Sequence, residues 1–312
     1  MFSTMRSHPG GTSATRRILS DGRYHFQDGP IDLIIGADGR KAILNKCIED
    51  CWRRFSGVLP ALMQDLHVLK QEVAREVGEP ILACSVSQAM WRACARHDVA
   101  ERLTPMAAVA GSVADDLITC FHQEGIARAF INNGGDIAFH LALDAQYVIG
   151  LHADPTRLAD PAALAARAAS LLVSGTSPIR GVATSGWRGR SFSFGIADAV
   201  TILAKSAAIA DAAATVVGNA VNVEAPCIER KAADTLKDNA DLGSRLVTTQ
   251  VGKLTPVEVD AALQAGCERA KRLMDQNIIF GAVIQLQGST RHVGNVVFDS
   301  LTDQKTVTSL MR

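Results

Sequence analysis

The 312-residue sequence has no excess of charge of either sign. Its 32 lysines and arginines equal its 32 aspartates and glutamates, and its pI is about 7.1. A balanced chain has no long-range field to attract a polyanion, so nucleic-acid binding would require a local basic patch. The pairs Arg16–Arg17 and Arg53–Arg54 are short and typical of a solvated surface. We therefore expect no nucleic-acid partner.

The sequence also lacks long apolar runs and an apolar leader. No stretch approaches the ~18–20 apolar residues that cross a bilayer, and the polar N-terminus has no core typical of a secretory signal. The seven cysteines are scattered, and Cys47 and Cys51 lack the spacing and later partners of a zinc site. Free thiols of a reducing compartment are the better interpretation. These absences predict a cytoplasmic protein that contacts no membrane.

Common catalytic signatures are missing as well. The eight histidines are dispersed without an HExxH pair, and Ser85 and Ser87 lack a GxSxG elbow. There is no GxGxxG fingerprint and no repeat of fixed period. A zinc protease, a serine hydrolase and a Rossmann protein are therefore unsupported. The composition, 47% hydrophobic and 21% charged, is that of an ordinary globular enzyme.

Strand patterns alternate with helical patterns along the chain. Strands are predicted over 24–27, 31–35, 137–143, 146–152, 278–287 and 292–298, with another ending at 130–131. Helices are predicted over 41–75 with a bend at 56–57, 87–97, 106–125, from 160 towards 173, through 211–215, and from a capping box at 255 to 276. We expect 137–143 and 146–152 to pair, and 228–248 to be a surface excursion. The class is α+β (mixed α/β), with antiparallel or mixed sheets packed with helices. A loose tail over 1–15 precedes a single domain over 16–312, which two closely packed lobes would also satisfy.

An aspartate and a threonine lie one helical turn apart in the segment ADAAAT, Ala210–Thr215. Side chains at i and i+4 project from one face, and Asp211 and Thr215 carry the hard oxygen ligands that Mg²⁺ requires. The alanines between them would leave room for a bulky ligand. Alternatively, Asp211 caps an alanine-rich core helix in which Thr215 bonds the carbonyl one turn back. Spacing leaves both interpretations open.

Two turns and three further aspartates carry polar groups that a site could use. The glycines of Asn132–Asp136 and Thr184–Gly186 allow backbone amides to approach a phosphate or a flat ring, but both segments also fit ordinary turns. Asp115 and Asp116 are adjacent in a helix, so their carboxylates diverge by about 100° and only one faces a site. Asp198 lies among apolar residues that would raise its pKa, unless it is simply bonded to backbone.

The order of these motifs resembles the ApbE family. MAAVAGSVAD (Met106–Asp115), NNGGDIA (Asn132–Ala138), GVATSG (Gly181–Gly186) and ADAAAT follow one another as they do there, within a resemblance that extends from about Arg17 to Phe298. That family comprises Mg²⁺-dependent FAD:protein FMN transferases of the T-fold-like class. The chain resembles a soluble branch of the family more than its lipoproteins.

The resemblance implies FAD or FMN as ligand, together with Mg²⁺. It makes Asp211 and Thr215 the side-chain ligands of the metal, with a backbone carbonyl near Ala110 as a third. In the transferases, a threonine of an acceptor protein attacks, AMP is released, and FMN stays esterified to the acceptor. The implied flavin-binding positions are Met106, Gly111, Asn133, Gly134, Gly135, Asp136, Thr184, Ser185 and Gly186.

Two departures from the family keep the reaction open. Ala110 stands where the family has a lysine before the glycine, and Ser191–Ile202 replaces its HIxDPxTG segment. We expect flavin transfer to an acceptor or cleavage of the FAD pyrophosphate. The alternatives are a flavin-dependent reductase of a small ring compound, and a non-enzymatic protein that binds or delivers flavin. The small-residue helices fit packing within one chain or across a homodimer.

Overall fold

The computed structural model describes residues 14–151, 169–238, 240–294 and 298–299. The strands β1 to β14 are Thr15–Ile18, Tyr24–Asp28, Ile31–Gly39, Ile126–Asn133, Asp136–Leu141, Gln146–Leu151, Ala169–Ser174, Gly181–Ser185, Ala199–Ala204, Ile228–Ala232, Leu246–Val251, Ile279–Leu286, Ser289–Val293 and Phe298–Asp299. The α-helices α1 to α6 are Lys41–Leu69, Ser85–Cys94, Val109–Ile118, Ala207–Ala220, Ala233–Leu236 and Pro256–Asp275.

One nine-stranded sheet organises the described chain. Its order is β1-β2-β3-β4-β5-β8-β9-β12-β13, and each neighbouring pair is antiparallel. A three-stranded sheet holds β14, β7 and β6, while β10 pairs with β11. Antiparallel sheets packed with helices confirm the predicted α+β class.

The helices cover one face of the large sheet in two neighbouring clusters. At one side, α1 packs on β2 and β3 through an aromatic group in which the Phe26 ring lies 5.0 Å from Trp52 and 5.5 Å from Phe55. At the other side, α4 and α6 bury their apolar residues on β9 and β12. A third cluster, which contains Phe139 and Tyr147, lies on the opposite face of the sheet. Because α4 is apolar almost all round, it is a central, buried helix.

The two strands predicted over 137–143 and 146–152 both form, but they do not pair with each other. β5 pairs with β4 and β8, and β6 pairs with β7. The predicted hairpin between them is therefore wrong, because β4, across the Gly134–Gly135 turn, and β8 already occupy both edges of β5. The helix expected from 160 towards 173 lies partly outside the described residues, and its described end is the strand β7. The segment 228–248, expected to be a surface excursion, contains β10 and the start of β11, which form a separate two-stranded sheet.

Helix boundaries follow the strongest local signals. The capping box is confirmed, since Thr255 Oγ1 accepts from Glu258 N at 3.3 Å and Glu258 Oε2 accepts from Thr255 N at 2.7 Å. In contrast, α1 continues through Ser56 and Gly57 because residues on both sides, including Phe55 and Val58, are buried against the same core. Of the predicted tail, residues 1–13 lie outside the described range, and β1 begins at Thr15. No helix among the described residues is long and apolar enough to cross a membrane.

Candidate functional site

The helix α4 presents a polar stripe made of Asp211, Thr215 and Asn219. These residues recur at intervals of four and are partly exposed, whereas the three alanines between Asp211 and Thr215 are fully buried. The sequence suggested that these alanines leave room for a ligand. They instead face the core, so they make no such room. The helix cap is Ser206, which accepts from Ile209 N at 3.4 Å, so the alternative in which Asp211 caps α4 is also wrong.

The helices α3 and α4 each supply a carboxylate to the N-terminus of the other. Asp211 Oδ2 accepts from Gly111 N at 2.9 Å, while the two oxygens of Asp115 accept from Ala207 N at 2.9 Å and Ala208 N at 2.8 Å. The first amides of a helix lack intrahelical partners and carry partial positive charge. This reciprocal capping therefore holds the metal-ligand candidate Asp211 against the start of α3.

Gly111 and Ala110 bring the start of α3 close to the polar stripe. A Cβ atom on Gly111 would overlap the backbone oxygen of Ala207, so a glycine is required where the two helices cross. The carbonyl oxygen of Ala110 accepts from Asn133 Nδ2 at 3.1 Å, which ties α3 to the end of β4. Met106 lies in the preceding 3₁₀ turn, Pro105–Ala108, and is partly exposed.

The turn between β4 and β5 exposes two glycines. Gly134 and Gly135 have φ angles of +65° and +115°, which favour glycine, and Asn132 Oδ1 accepts from Gly135 N at 2.8 Å. A Cβ atom on Gly134 would overlap the guanidinium of Arg190, so that cation lies directly over the turn. At the end of the turn, Asp136 Oδ1 accepts from Thr184 N at 3.1 Å.

The residues of the TSG segment point in different directions. The Thr184 hydroxyl lies 2.9 Å from the Thr201 hydroxyl, on the sheet face opposite α4. Ser185 faces α4, where its Oγ lies 3.7 Å from the position that a Cβ on Gly218 would take. A Cβ on Gly186 would overlap the backbone oxygen of Asp198. Of the two side chains in this segment, only that of Ser185 faces the polar stripe.

The carboxylates of Asp211 and Asp136 repel each other. Burial, followed by the charge of Asp136, raises the pKa of Asp211 well above its usual range, against the lowering effect of the Gly111 and Ala110 amides. Part of Asp211 reaches solvent, but protein surrounds its carboxylate closely, so desolvation dominates. Burial likewise raises the pKa of Asp136, although the Thr184 amide and Arg190 lower it. A bound cation would relieve this repulsion.

The donor atoms near Asp211 fit a hard cation. Over the described ranges, no group of three or more His, Cys, Asp or Glu side chains could hold a metal ion. A cation at Asp211 would therefore take other oxygens, and the Thr215 hydroxyl and the Ala110 carbonyl are the candidates. Mg²⁺ is commonly bound by one or two carboxylates together with hydroxyl, carbonyl, water and phosphate oxygens. The oxygen donors of Asp211, Thr215 and Ala110 are of the type that Mg²⁺ prefers.

Other predicted aspartates have structural partners. Asp116 forms a bidentate pair with Arg54, at 2.5 Å and 2.6 Å, on the side of α3 away from Asp211. Asp198 accepts from the backbone nitrogen of Gln287 at 2.6 Å, in agreement with the alternative in which it bonds to backbone. Its carboxylate also lies 3.6 Å from Arg188 Nε.

Sequence reasoning missed two polar residues at this site. Asn219 continues the spacing of Asp211 and Thr215, so the same helical period would have identified it. Its Oδ1 accepts from Phe194 N at 3.0 Å and thereby holds the segment that replaces HIxDPxTG. Arg190 had no such signal, because its position over Gly134 depends on the path of a loop.

The structure is that of an α+β protein in which the oxygen atoms of Asp211 and Thr215 lie on a helix beside a glycine turn. The family model described as "AbpE bacteria" matches residues 16–292. The chain belongs to this family, which confirms the resemblance seen in its ordered motifs.

Curated relatives carry the name UPF0280 protein. The one from Methanothrix thermoacetophila is 38% identical over 122 residues, which cover 39% of this chain and 47% of the relative. The one from Archaeoglobus fulgidus is 35% identical over 143 residues, covering 46% of this chain and 54% of the relative. The chain thus spans about half the length of the curated relatives it matches.

Solved structures of ApbE proteins are similar only at a low level. The ApbE protein of Thermotoga maritima is 13% identical with a TM-score of 0.39, covering 90% of this chain and 96% of that one. The apo flavinyl transferase ApbE of Pseudomonas stutzeri is also 13% identical, with a TM-score of 0.35 and coverage of 93% and 96%. Scores this low support no conclusion about the activity of this chain.

Proposed function

We propose that the chain binds FAD with Mg²⁺ and catalyses the transfer of FMN to an acceptor or the cleavage of the FAD pyrophosphate. The observation that carries this proposal is the position of Asp211 and Thr215 on the one polar stripe of α4. The Ala110–Asn133 hydrogen bond joins the start of α3, which Asp211 contacts, to the strand that leads into the glycine turn. Membership of the "AbpE bacteria" family supports flavin as the ligand.

Each group of this site has a role suited to a dinucleotide. Asp211 and Thr215 would hold Mg²⁺, with the Ala110 carbonyl as a third ligand. When bound, the ion neutralises negative charge on the pyrophosphate and on its leaving phosphate. The Gly134–Gly135 turn has no side chains to block an approaching phosphate, and Arg190 places a positive charge directly above it. The site thus combines cationic and backbone stabilisation of a phosphoryl group.

The two proposed reactions, FMN transfer and FAD cleavage, differ only in the group that accepts FMN. In transfer, a hydroxyl oxygen of the acceptor bonds to the phosphorus of the FMN half, the pyrophosphate bridge breaks, and AMP leaves while the hydroxyl proton passes to solvent. In cleavage, water takes the place of that hydroxyl, and the products are FMN and AMP. The pocket supplies electrostatic stabilisation in both cases, so the same residues serve either outcome.

Incubation with FAD and Mg²⁺, followed by chromatography for FMN and AMP, tests the proposal. A lysate that contains acceptor proteins is supplied in parallel, and flavin attached to protein is detected by in-gel fluorescence. Thr215→Val, which keeps the shape of the side chain without its hydroxyl, should lose most of the Mg²⁺-dependent product. Asp116→Asn, on the other side of α3, should retain it. The absence of AMP with every divalent metal and with lysate would refute the proposed reaction.

A second candidate is a protein that binds or delivers flavin without turnover. It is favoured by the segment Ser191–Ile202, where no histidine is present and Asp198 is held by the Gln287 amide at 2.6 Å. This candidate predicts stoichiometric FAD binding that depends on Mg²⁺ and Asp211, with no AMP released. Equilibrium dialysis with labelled FAD, run beside the chromatographic assay, distinguishes binding from turnover.

A further inference from the structure

A second cleft opens at the other end of the central strands. The ladder between β5 and β8 covers two residue pairs and ends with the hydrogen bond from Phe139 N to the Arg180 oxygen at 3.1 Å. The cleft lies beyond this bond, beside Asp115 and Ile118 of α3. The opening has a volume of about 470 Å³, which is within the range of small-molecule sites. Asp136 begins β5 at the flavin-site candidate, and the cleft residue His140 lies about 13 Å further along the strand.

Four basic side chains line this cleft: Arg180, Lys205, His122 and His140. The rings of His122 and His140 are 5.2 Å apart between centroids. Neither Arg180 nor Lys205 forms an ion pair within the part of the chain that the structure describes. Burial and the positive charge of Arg180 lower the pKa of both histidines. At neutral pH the positive charge of the cleft therefore comes from Arg180 and Lys205, which have no carboxylate partner among the described residues.

The guanidinium of Arg180 is held in place before any ligand arrives. Its Nη1 donates to the backbone oxygens of Ser177 at 2.6 Å and Ile179 at 2.7 Å, and its Nη2 donates to that of Gly175 at 2.7 Å. Carbonyl oxygens orient the group but do not remove its charge. A rigid cation binds an anion with less loss of side-chain freedom than a mobile one.

The carboxylate that lines the cleft is already engaged. Asp115 accepts from Ala207 N and Ala208 N with separate oxygens, at 2.9 Å and 2.8 Å. The Asp115 carboxylate thereby interacts with the first amides of α4. It does not pair with the basic side chains across the cleft, and the amides of α4 are not free to bind a ligand.

The base of the cleft is apolar, where the edges of the largely buried Ile118, Phe139 and Leu141 lie beside the basic groups. A ligand that matches both halves has a compact group of high negative charge and a small hydrophobic body. The volume exceeds that of a bare oxyanion. We propose that this cleft is a second ligand site, which binds a phosphate monoester with a small apolar or aromatic body. The assignment is independent of the flavin site and of the reaction proposed there.

Phenyl phosphate is the probe that tests this site, with sulfate and benzoate as partial mimics. Sulfate supplies a dianion without a ring, and benzoate supplies a ring with a single charge. Each is titrated at neutral pH without FAD or Mg²⁺, and the ring resonances of His122 and His140 are followed by NMR. We expect saturable shifts of both rings, with phenyl phosphate bound at least several-fold more tightly than either mimic.

Substitutions of cleft residues test whether phenyl phosphate binds in the cleft. Lys205 and His122 are exposed, so Lys205→Gln and His122→Gln should preserve the fold. Removing the exposed charge of Lys205 should weaken phenyl phosphate binding by about two- to five-fold. Removing the His122 ring, a hydrogen-bond donor, should weaken it as well. Lys271→Gln removes an exposed lysine from α6 and should leave the affinity unchanged. Absent histidine shifts, equal binding of all three probes, or affinity that Lys205→Gln and His122→Gln leave intact would each overturn the proposal. Shifts confined to the Gly134–Gly135 turn would place the phosphate at the flavin site instead, and would overturn it as well.

Discussion

Replacing Asp211 separates its structural role from its proposed role as a metal ligand. Its Oδ2 accepts the Gly111 amide at 2.9 Å, and its buried charge faces that of Asp136. Asp211→Asn keeps an oxygen acceptor for the Gly111 amide but removes the negative charge. Asp211→Ala removes both. Both variants remove the charge, so Asp211→Asn should be the more stable of the two because it alone keeps the acceptor for the Gly111 amide.

The difference in stability between the two variants follows from the hydrogen bond that Asp211 accepts. Asp211→Ala leaves the Gly111 N–H without its acceptor, so its unfolding free energy should be about 1–3 kcal/mol below that of Asp211→Asn. The pKa of Asp211 is raised in the folded protein, so its ionised form lowers stability as the pH rises above the unfolded value of 3.8. That penalty is complete above the folded pKa. Both substitutions remove the penalty, and unliganded Asp211→Asn, which also keeps the acceptor, should be as stable as the wild type or more so.

Ligand stabilisation should change in the same direction for both variants. At about 100 times the dissociation constant, a ligand stabilises the fold by about 2.7 kcal/mol. For a chain of this size that corresponds to a rise of roughly 5 °C in Tm. We expect the wild type to show this rise with FAD and Mg²⁺ together, and Asp211→Asn to lose the Mg²⁺-dependent part.

Thermal unfolding followed by circular dichroism, with and without FAD and Mg²⁺, measures both effects. Asp116→Asn is the matched control, because it removes a carboxylate of α3 that pairs with Arg54 rather than facing the site. It should keep the full ligand-dependent rise. If Asp211→Asn also keeps that rise, Asp211 is not a metal ligand. If the control loses it, the loss reflects the helix pair as a whole.

Three further substitutions test the packing and the glycine turn. His97 is 2% exposed, and burial lowers its pKa to about 4 from 6.5. Between about pH 7.5 and pH 5 only the unfolded form takes up the proton, so the unfolding free energy of the wild type should fall by about 2 kcal/mol more than that of His97→Leu. Urea unfolding at both pH values measures the difference. Gly111→Ala should lower the unfolding free energy by about 1–3 kcal/mol, also measured with urea, because its Cβ would overlap the Ala207 backbone. Gly134→Ala should weaken FAD binding in a fluorescence titration, since it strains a left-handed residue and displaces Arg190; unchanged affinity would argue against flavin at this turn.

Features with a short-range physical cause could be predicted from the sequence. The Thr255 capping box involves neighbours three residues apart, and the shared face of Asp211 and Thr215 follows from the period of one helix. Long-range pairing could not be predicted in this way. The pairing of β5 with β8 passes over two intervening strands, and the Asp115–Ala207 hydrogen bond joins residues 92 positions apart. The loop that carries Arg190 over Gly134 has no periodic signal at all.

The small residues of the α3–α4 pair explain how a buried helix carries a polar site. Gly111 allows α3 to approach the Ala207 backbone, and the fully buried alanines between Asp211 and Thr215 let α4 pack closely on its neighbours. Larger side chains at these positions would move α4 away from the sheet and take its polar stripe out of line with Asn133 and Ser185. The reciprocal carboxylates then fix the position of one helix along the other, at the expense of keeping Asp115 and Asp211 charged among protein atoms. Burial raises the pKa of both groups, so this arrangement lowers the stability of the unliganded protein at neutral pH. A cation that binds Asp211 would reverse part of this penalty, which is why metal binding and folding stability should be coupled at this helix pair.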